Sequence, residues 1–427
     1  MNQKVSSASS YRWVVCGLLF LATTINYVDR QILSLLKPIL DEQLGWTSTQ
    51  FGAINSAFQA AYGVSLFLFG WFIDKYGTKL GYAVSIFAWS LAAMGHALVF
   101  SISGFFAARI ALGLGEGGNF PAAIKATAQW FPIRERAFAT SLFNSGANVG
   151  AILAPAVVPA IALHFGWHWA FIFAGIAGIL WILLWWPYFD YPEHSRRVSA
   201  EELAYIQGDA PDPSEGNGKV PWKRMLRHRE AWAFIAAKFL TDPVWWFFLI
   251  WLPDFFKKTR HLDIKNSWTL LVSIYAIITV LSIAGGWVTG FMTSRGWSVT
   301  RARKTGMIVF ALIVLPMAIV TRVGDWTAVI LIGLAGAAHQ AWSANLYTTV
   351  SDMFPKRAVA SLTGIGGTAG SLGGMAFPLI TGVVLDRFAN GYAIIFGFCS
   401  VAYLLAFAIH HLLAPKFEPV TLGVEAP

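Results

Sequence analysis

Charge is scarce in this sequence of 427 residues: only 12% are Asp, Glu, Lys or Arg, against roughly 25% in a soluble domain. So few charges cannot cover two or three soluble domains, and we therefore do not expect a soluble enzyme. Disorder is excluded because 56% of the residues are hydrophobic, far more than a disordered chain carries. Cysteine is nearly absent as well. Cys16 and Cys399 both lie in apolar runs, which excludes a disulfide scaffold.

Long apolar runs, rich in Phe and Trp, take the place of the missing charge. A helix that crosses a bilayer needs about 20 largely apolar residues, and the sequence contains twelve such runs, with the polar stretch 189–229 after the sixth. They lie at 13–40, 50–73, 79–101, 104–126, 138–162, 168–188, 230–256, 267–293, 303–322, 325–351, 358–386 and 391–413. The first run has no small-residue cleavage site, so we expect a membrane span rather than a signal peptide.

Lys and Arg fall mostly on one side of these predicted spans. The N-terminus, the loops from even- to odd-numbered spans, the stretch 189–229 and the C-terminus hold 21 of the 31. The opposite loops hold seven, and three lie within spans. Because Lys and Arg favour the cytoplasmic side, we expect both termini to be cytoplasmic. We attribute the net charge of +9 to this topology and expect no nucleic-acid partner.

The two halves of the sequence resemble each other. RAFATSLFNSGANVGAILAP (136–155) aligns with RAVASLTGIGGTAGSLGGMAFP (357–378), and Phe-Pro precedes both. Repeated six-helix halves are typical of transporters that open to one side of the membrane at a time. The predicted organisation is a first bundle at 1–188, a cytoplasmic linker at 189–229 and a second bundle at 230–427.

Several motifs resemble those of one transporter family. GWFIDKYGTK (70–79) is similar to the loop signature of the major facilitator superfamily. Four further segments resemble its anion:cation symporter family: NYVDR (26–30), ARIALGLGEGGNFPA (108–122), WFPIRERA (130–137) and GWHWAF (166–171). KFLTDPVWWF (238–247) and GAAHQAWSANL (336–346) resemble the hexuronate transporters of that family. The resemblance implies an all-α integral membrane fold with twelve transmembrane helices in two pseudo-symmetric six-helix bundles.

The same resemblance implies a proton-coupled importer of a small sugar acid in the bacterial inner membrane. A hexuronate such as glucuronate or galacturonate is the expected substrate, and an aldonate or another organic anion is the alternative. The signature implies gating roles for five residues of the loop between spans 2 and 3: Gly70, Asp74, Lys75, Gly77 and Lys79. The corresponding loop of the second half, GFMTSRGWSVTRARK, lacks the acidic residue.

Six charged residues lie inside predicted spans, where each costs roughly 2.5–3.5 kcal/mol unless it has a partner or a function. They are Asp29, Arg30, Arg109, Glu116, Lys238 and Asp242. Ion pairs that only hold helices together are the alternative to a function. For Lys238 and Asp242, which share one helix face at i, i+4, the two interpretations stay open, and Lys238 is a candidate substrate ligand.

For the first-half charges, the family resemblance implies specific roles. Arg30 binds the substrate carboxylate, while Asp29 and Glu116 exchange protons and Arg109 holds the aspartate. The residues themselves support part of this, because a guanidinium matches a carboxylate with two parallel hydrogen bonds.

Uncharged polar and aromatic residues at similar depth are further candidates for substrate binding. They are Tyr27, Gln59, Tyr62, Asn144, His339, Gln340, Trp342 and Asn345. Aromatic rings can stack on the apolar face of a sugar while amides bind its hydroxyls. The alternative for each is an interhelical hydrogen bond, worth about 0.6 kcal/mol.

Other functions find little support in the sequence. GLGEGG (113–118) fits a dinucleotide-binding pattern, but it lies in a membrane span rather than between a strand and a helix. The sequence shows no metal-ligand cluster and no nucleophile motif, so we expect no cofactor, no metal and no enzymatic activity. A receptor, a membrane enzyme or an anion exchanger are the competing classes. The expected partners are a small organic anion, protons and lipid, with the protein a monomer.

The charge bias makes the topology testable. A fluorescent reporter fused to the C-terminus should fluoresce in the cytoplasm, and a phosphatase inserted at 257–265 should be active in the periplasm. Both results follow from the 21-to-seven distribution of Lys and Arg. A periplasmic C-terminus would contradict the twelve-span prediction.

Overall fold

The computed structural model describes residues 10–208 and 222–420, and in this part of the chain the regular structure is helical throughout. The α-helices of the first half are α1 (Tyr11–Leu44), α2 (Ser48–Tyr76), α3 (Thr78–His96), α4 (Ile102–Glu116), α5 (Asn119–Trp130), α6 (Ile133–Asn144), α7 (Gly146–Phe165) and α8 (Trp167–Tyr188). Those that follow are α9 (Ala200–Gln207), α10 (Trp222–Met225), α11 (Arg229–Arg260), α12 (Ile264–Ser294), α13 (Val299–Val314), α14 (Asp325–Met353), α15 (Lys356–Arg387) and α16 (Gly391–Leu413).

These helices form twelve long segments at the predicted places. The fourth predicted span is divided at Gly117–Gly118 into α4 and α5. The fifth is divided at Ser145 into α6 and α7. The ninth span is α13 continued by a 3₁₀ helix, Leu315–Arg322. The short helices α9 and α10 lie in the predicted linker, whose residues 209–221 are outside the described part. Nine segments of the described chain are long and apolar enough to cross a membrane.

The first packing unit comprises the described residues of Met1–Leu44 and Ala57–Asp212. Small residues let its helices approach closely. A Cβ at Gly146 would clash with the carbonyl oxygen of Phe20, so α7 can lie against α1 only because that position is glycine. A Cβ at Gly115 would lie 2.5 Å from the backbone nitrogen of Trp89. The glycines of GLGEGG therefore serve helix packing, as expected for small residues at membrane helix interfaces.

The second packing unit comprises Gly45–Ser56 and the described residues of Pro213–Pro427. The first turns of α2 belong to it because they pack on the end of α15. Asp386 accepts hydrogen bonds from the backbone N–H groups of Ser48 (3.0 Å) and Thr49 (2.7 Å). A carboxylate at a helix N-terminus satisfies free N–H donors and the helix dipole together. Gly382 allows this approach, because a Cβ there would clash with the Ser48 carbonyl.

Candidate functional site

Four buried charged side chains meet in the first unit. α1 supplies Asp29 and Arg30, and α4 supplies Arg109 and Glu116. Arg30 Nε lies 2.6 Å from Glu116 Oε2, and Glu116 is fully buried. Breaking such a pair by removing one partner typically costs about 3–5 kcal/mol, since the other charge stays buried. The pair therefore fixes α1 against α4 at this depth.

Aromatic rings surround the two guanidinium groups. The Cζ atom of Arg30 lies 4.4 Å from the ring centre of Tyr62 and 5.2 Å from that of Tyr27. Phe58 contacts both arginines, with its ring centre 5.7 Å from the Cζ atom of Arg30 and 5.2 Å from that of Arg109. Rings at these distances stabilise a cation that has lost its water. Two predicted substrate ligands, Tyr27 and Tyr62, thus lie beside the predicted carboxylate anchor.

Asp29 differs from Glu116 in its surroundings. Its side chain is 1% exposed, and within the described residues neither carboxylate oxygen accepts a hydrogen bond. Arg109 Nη2 donates to the backbone carbonyl of Arg30, at 3.1 Å. A buried carboxylate without a donor is costly in its ionised form. Asp29 is therefore the acidic group of the cluster whose surroundings favour the neutral acid.

Gln59 and Asn144, the other predicted substrate ligands of the first half, differ in burial. Gln59 is buried on α2, and its amide nitrogen has no hydrogen-bond partner among the described residues. Asn144 is exposed and ends α6, at the point where the fifth span is divided. The break leaves Asn144 at a helix terminus rather than within a continuous helix.

In the second unit, Lys238 and Asp242 form an ion pair along α11, with Nζ and Oδ2 2.7 Å apart. Lys238 Nζ also lies 4.6 Å from the ring centre of Tyr347 on α14. The side chains are 5% and 19% exposed, respectively. The pair is therefore largely withdrawn from solvent, with the carboxylate the more accessible partner.

His339 and Trp342 both contact Tyr403 of α16. His339 Nδ1 is 2.6 Å from the Tyr403 hydroxyl, and its ring stacks on Trp245 at 5.6 Å. Trp342 is fully buried and meets the Tyr403 ring edge-on at 5.5 Å. His339 is thus held on both sides, by a hydrogen bond and by an aromatic ring.

The last two predicted substrate ligands on α14 are Gln340 and Asn345. Asn345 Nδ2 donates to the carbonyl of Arg303 on α13, at 2.9 Å. Gln340 is half-buried. Asn345 therefore joins two helices through its amide nitrogen, while its amide oxygen has no hydrogen-bond partner among the described residues.

The loop-signature residues lie where α2 ends and α3 begins: Gly70, Asp74 and Lys75 are in the last turns of α2, Gly77 joins the two helices, and Lys79 is in the first turn of α3. Asp74 Oδ1 pairs with Lys125 Nζ of α5 at 2.7 Å, and Lys79 Nζ lies 3.7 Å from Asp190 Oδ2. Gly77 has a φ of 89°, in a region that favours glycine. Lys75 Nζ lies 5.0 Å from the ring centre of Trp71. A Cβ at Gly70 would meet nothing within 4 Å.

The sequence analysis missed four aromatic residues that contact the predicted site residues. They are Phe58, Trp245, Tyr347 and Tyr403. Aromatic residues are common in membrane spans, so three of them carried no distinguishing signal. Tyr403 did carry one, because its hydroxyl lies in the otherwise apolar run SVAYLLAFA and must find a partner there.

In the described part of the chain, twelve helical segments form two packing units with charges buried between helices, an architecture typical of multi-pass membrane transporters. The sequence profile of the Major Facilitator Superfamily matches residues 19–378, and the chain belongs to that superfamily. The predicted all-α fold with twelve transmembrane helices, the superfamily assignment and the absence of an enzyme activity are thereby confirmed.

Several relatives with named substrates are sugar-acid transporters. The chain is 31% identical to a hexuronate transporter of Escherichia coli K12, over 92% of each chain. It is also 30% identical to a probable galactarate/D-glucarate transporter of Bacillus subtilis, over 94% of this chain and 92% of that one. Among solved structures, a D-xylose–proton symporter has the same fold, with a TM-score of 0.72 at 15% identity over 96% of this chain and 98% of that one.

The difference in pairing between Glu116 and Asp29 can be measured through the free energy of unfolding. Glu116→Gln should lower the free energy of unfolding by about 3–5 kcal/mol, because Arg30 loses its buried partner. Asp29→Asn is the matched control and should change it by less than about 1 kcal/mol, since no hydrogen bond is lost. Thermal unfolding of the purified proteins in detergent at neutral pH makes the comparison. Equal losses in both variants would show that Asp29 is ionised and paired.

Proposed function

We propose that this protein is a proton-coupled importer of a hexuronate, such as glucuronate or galacturonate, working by alternating access. The observation that carries the coupling is Asp29, a carboxylate that is 1% exposed and lacks a hydrogen-bond donor among the described residues. The named relatives support the substrate class. An aldonate is the second candidate, favoured by 27% identity to a D-galactonate transporter of Escherichia coli.

The charge balance of the first unit links anion binding to proton binding. With Asp29 neutral, the two arginines and Glu116 leave one positive charge. One substrate carboxylate would cancel it. Without the proton, the four groups already sum to zero, and the anion would add an unbalanced buried charge, which is costly. Substrate and proton are therefore bound and released together.

Arg30 is the proposed anchor for the substrate carboxylate. It is permanently charged and can present two parallel N–H donors, which a lysine cannot reproduce. Tyr27 and Tyr62 already lie against its guanidinium. Their rings and hydroxyls are suited to the apolar face and the hydroxyl groups of a sugar, and Gln59 offers an amide nitrogen that has no hydrogen-bond partner among the described residues.

The proton follows a simple route in this proposal. Asp29 takes a proton from water on the side where substrate enters, and the sugar acid binds to Arg30. After the transporter opens to the cytoplasm, the anion leaves and Asp29 loses its proton to water on that side. The location is a bacterial inner membrane with both termini cytoplasmic, as the distribution of Lys and Arg favours.

The anchor can be tested by binding. Arg30→Ala should abolish binding of glucuronate, and Arg30→Lys should keep the charge yet lose at least about tenfold in affinity, because the paired hydrogen bonds are worth about 1.5–3 kcal/mol. Calorimetry or thermal shift with glucuronate and neutral glucose gives the readout. If Arg30→Ala binds glucuronate as tightly as the parent while Lys238→Ala does not, the anchor is Lys238.

Coupling is tested separately from binding. Asp29→Asn mimics a permanently protonated acid, so it should still exchange labelled glucuronate across a vesicle membrane. It should not accumulate glucuronate when a pH gradient is imposed, since the group that changes charge is gone. Proteoliposomes with and without the gradient measure both activities. Accumulation that still depends on the gradient in this variant would move the proton site elsewhere, with Glu116 the next carboxylate.

A further inference from the structure

Asn26 is a buried amide that the proposed function does not use. It lies on α1 one helical turn before Arg30, and its side chain is fully buried. Neither its amide nitrogen nor its amide oxygen forms a hydrogen bond of normal geometry with another described residue. A leucine of similar volume would avoid the cost of an unsatisfied buried amide. A polar side chain placed at that cost points to a partner that it meets in another state of the transporter.

Glu116 is the carboxylate beside this amide. The side chain of Asn26 interacts with Glu116, although not in a hydrogen bond of normal geometry. Arg30 holds Glu116 Oε2 at 2.6 Å, whereas Glu116 Oε1 is buried and accepts no hydrogen bond from the described residues. Residues four apart share a helix face, so Asn26 and Arg30 approach the same carboxylate from successive turns of α1.

Asp29 is the second carboxylate within reach of Asn26. It follows Asn26 by three residues, which places the two side chains on neighbouring turns of one helix face. A protonated carboxyl group has an O–H to donate, and an amide oxygen can accept it while the amide nitrogen donates elsewhere. Asn26 can therefore serve a neutral Asp29 and an ionised Glu116 at the same time.

The titratable groups around Glu116 in the described part of the chain come from three helices. They are Arg30, Asp29 and Tyr27 of α1, Arg109 of α4, and Tyr62 of α2, which lies against Arg30. α3 meets α4 through Trp89, which carries no charge. Asp29 is an acid, and Arg109 is engaged with the carbonyl of Arg30. Asn26 is therefore the donor best placed to serve Glu116 when Arg30 turns to a substrate.

We propose that Asn26 is a positioning residue for proton coupling, whose amide donates to Glu116 when a substrate carboxylate takes Arg30. Glu116 then stays ionised, since a charge-assisted hydrogen bond replaces the one that was lost. The amide oxygen meanwhile accepts the O–H of the protonated Asp29, so one proton suffices for each monoanionic sugar acid. The inference rests on the proposed function, in which the substrate binds Arg30 and Asp29 takes the coupled proton.

Without the amide, Glu116 would have to take a proton as well. A buried carboxylate with no donor is costly when it is ionised and much less so as the neutral acid. Displaced from Arg30, Glu116 would bind a proton from water on the entry side and return it to water on the other side. Two protons and one monoanion carry a net positive charge across the membrane, whereas one proton and one monoanion carry none.

The test measures charge movement during glucuronate uptake into proteoliposomes. The parent protein should transport without a net current, and Asn26→Leu should give a current and an uptake rate that rises with an inside-negative membrane potential. Gln31→Leu is the matched control and should behave like the parent, because Gln31 is a buried amide of the same helix, about 140° farther around its axis.

Three outcomes would overturn the proposal: transport without current by Asn26→Leu, a net current in the parent protein, or an equal current in Gln31→Leu. If the parent protein does not transport glucuronate at all, the proposed function itself is contradicted.

Stability separates positioning from packing. Asn26→Leu should unfold at a temperature no lower than the parent, because it removes an amide without a well-formed hydrogen bond among the described residues. A large drop together with transport that still carries no current would mean that Asn26 only holds helices together. If the branched leucine is not accommodated, Asn26→Met offers a flexible apolar side chain and should give the same current.

A double variant identifies the group that takes the second proton. Asn26→Leu with Glu116→Gln should transport without current, since a glutamine cannot be protonated in the place of Glu116. A current that persists in the double variant would place the extra proton on another group and overturn the proposal.

Discussion

The contact between Arg30 and Glu116, 2.6 Å long and almost fully buried, determines how the helices and rings around it pack in the first unit. Two opposite charges at this depth recover their lost hydration only when they meet in good geometry. α1 and α4 must therefore hold a fixed rotation about their axes. The rings of Tyr27, Tyr62 and Phe58 then close around the guanidinium groups, and in the proposed function the substrate anion has to compete with Glu116 for Arg30.

The sequence was sufficient to predict which residues carry charge into the membrane, because a charged group in an apolar run stands out at once. Their partners were harder to predict. The resemblance implied that Arg109 holds Asp29, which stays a prediction, and the hydrogen bond that the structure shows for the Arg109 side chain goes to the carbonyl of Arg30. Whether a guanidinium reaches a neighbouring carboxylate or a backbone oxygen depends on helix rotation and rotamer. Neither is encoded in the spacing of residues along one helix.

Helix positions were predicted well and helix breaks were not. The fourth span contains GEGG, and the structure divides it there, with Glu116 at the end of α4 and Asn119 at the start of α5. A run of glycines lowers helix propensity, but inside a bilayer the backbone must still find partners, so the sequence favoured a continuous helix. The result places Glu116 in the last turn of a helix, beside glycines that let α4 lie against Trp89 and Ser65.

Neutrality is the common constraint on the two charged sites. In the first unit a neutral Asp29 leaves one positive charge for an anion to cancel, and in the second an ionised Lys238–Asp242 pair leaves none. The same residue types therefore give two sites that differ in how their carboxylates are paired. The difference comes from one hydrogen-bonding fact: Asp242 has a cation 2.7 Å away, while among the described residues the Asp29 carboxylate accepts no hydrogen bond.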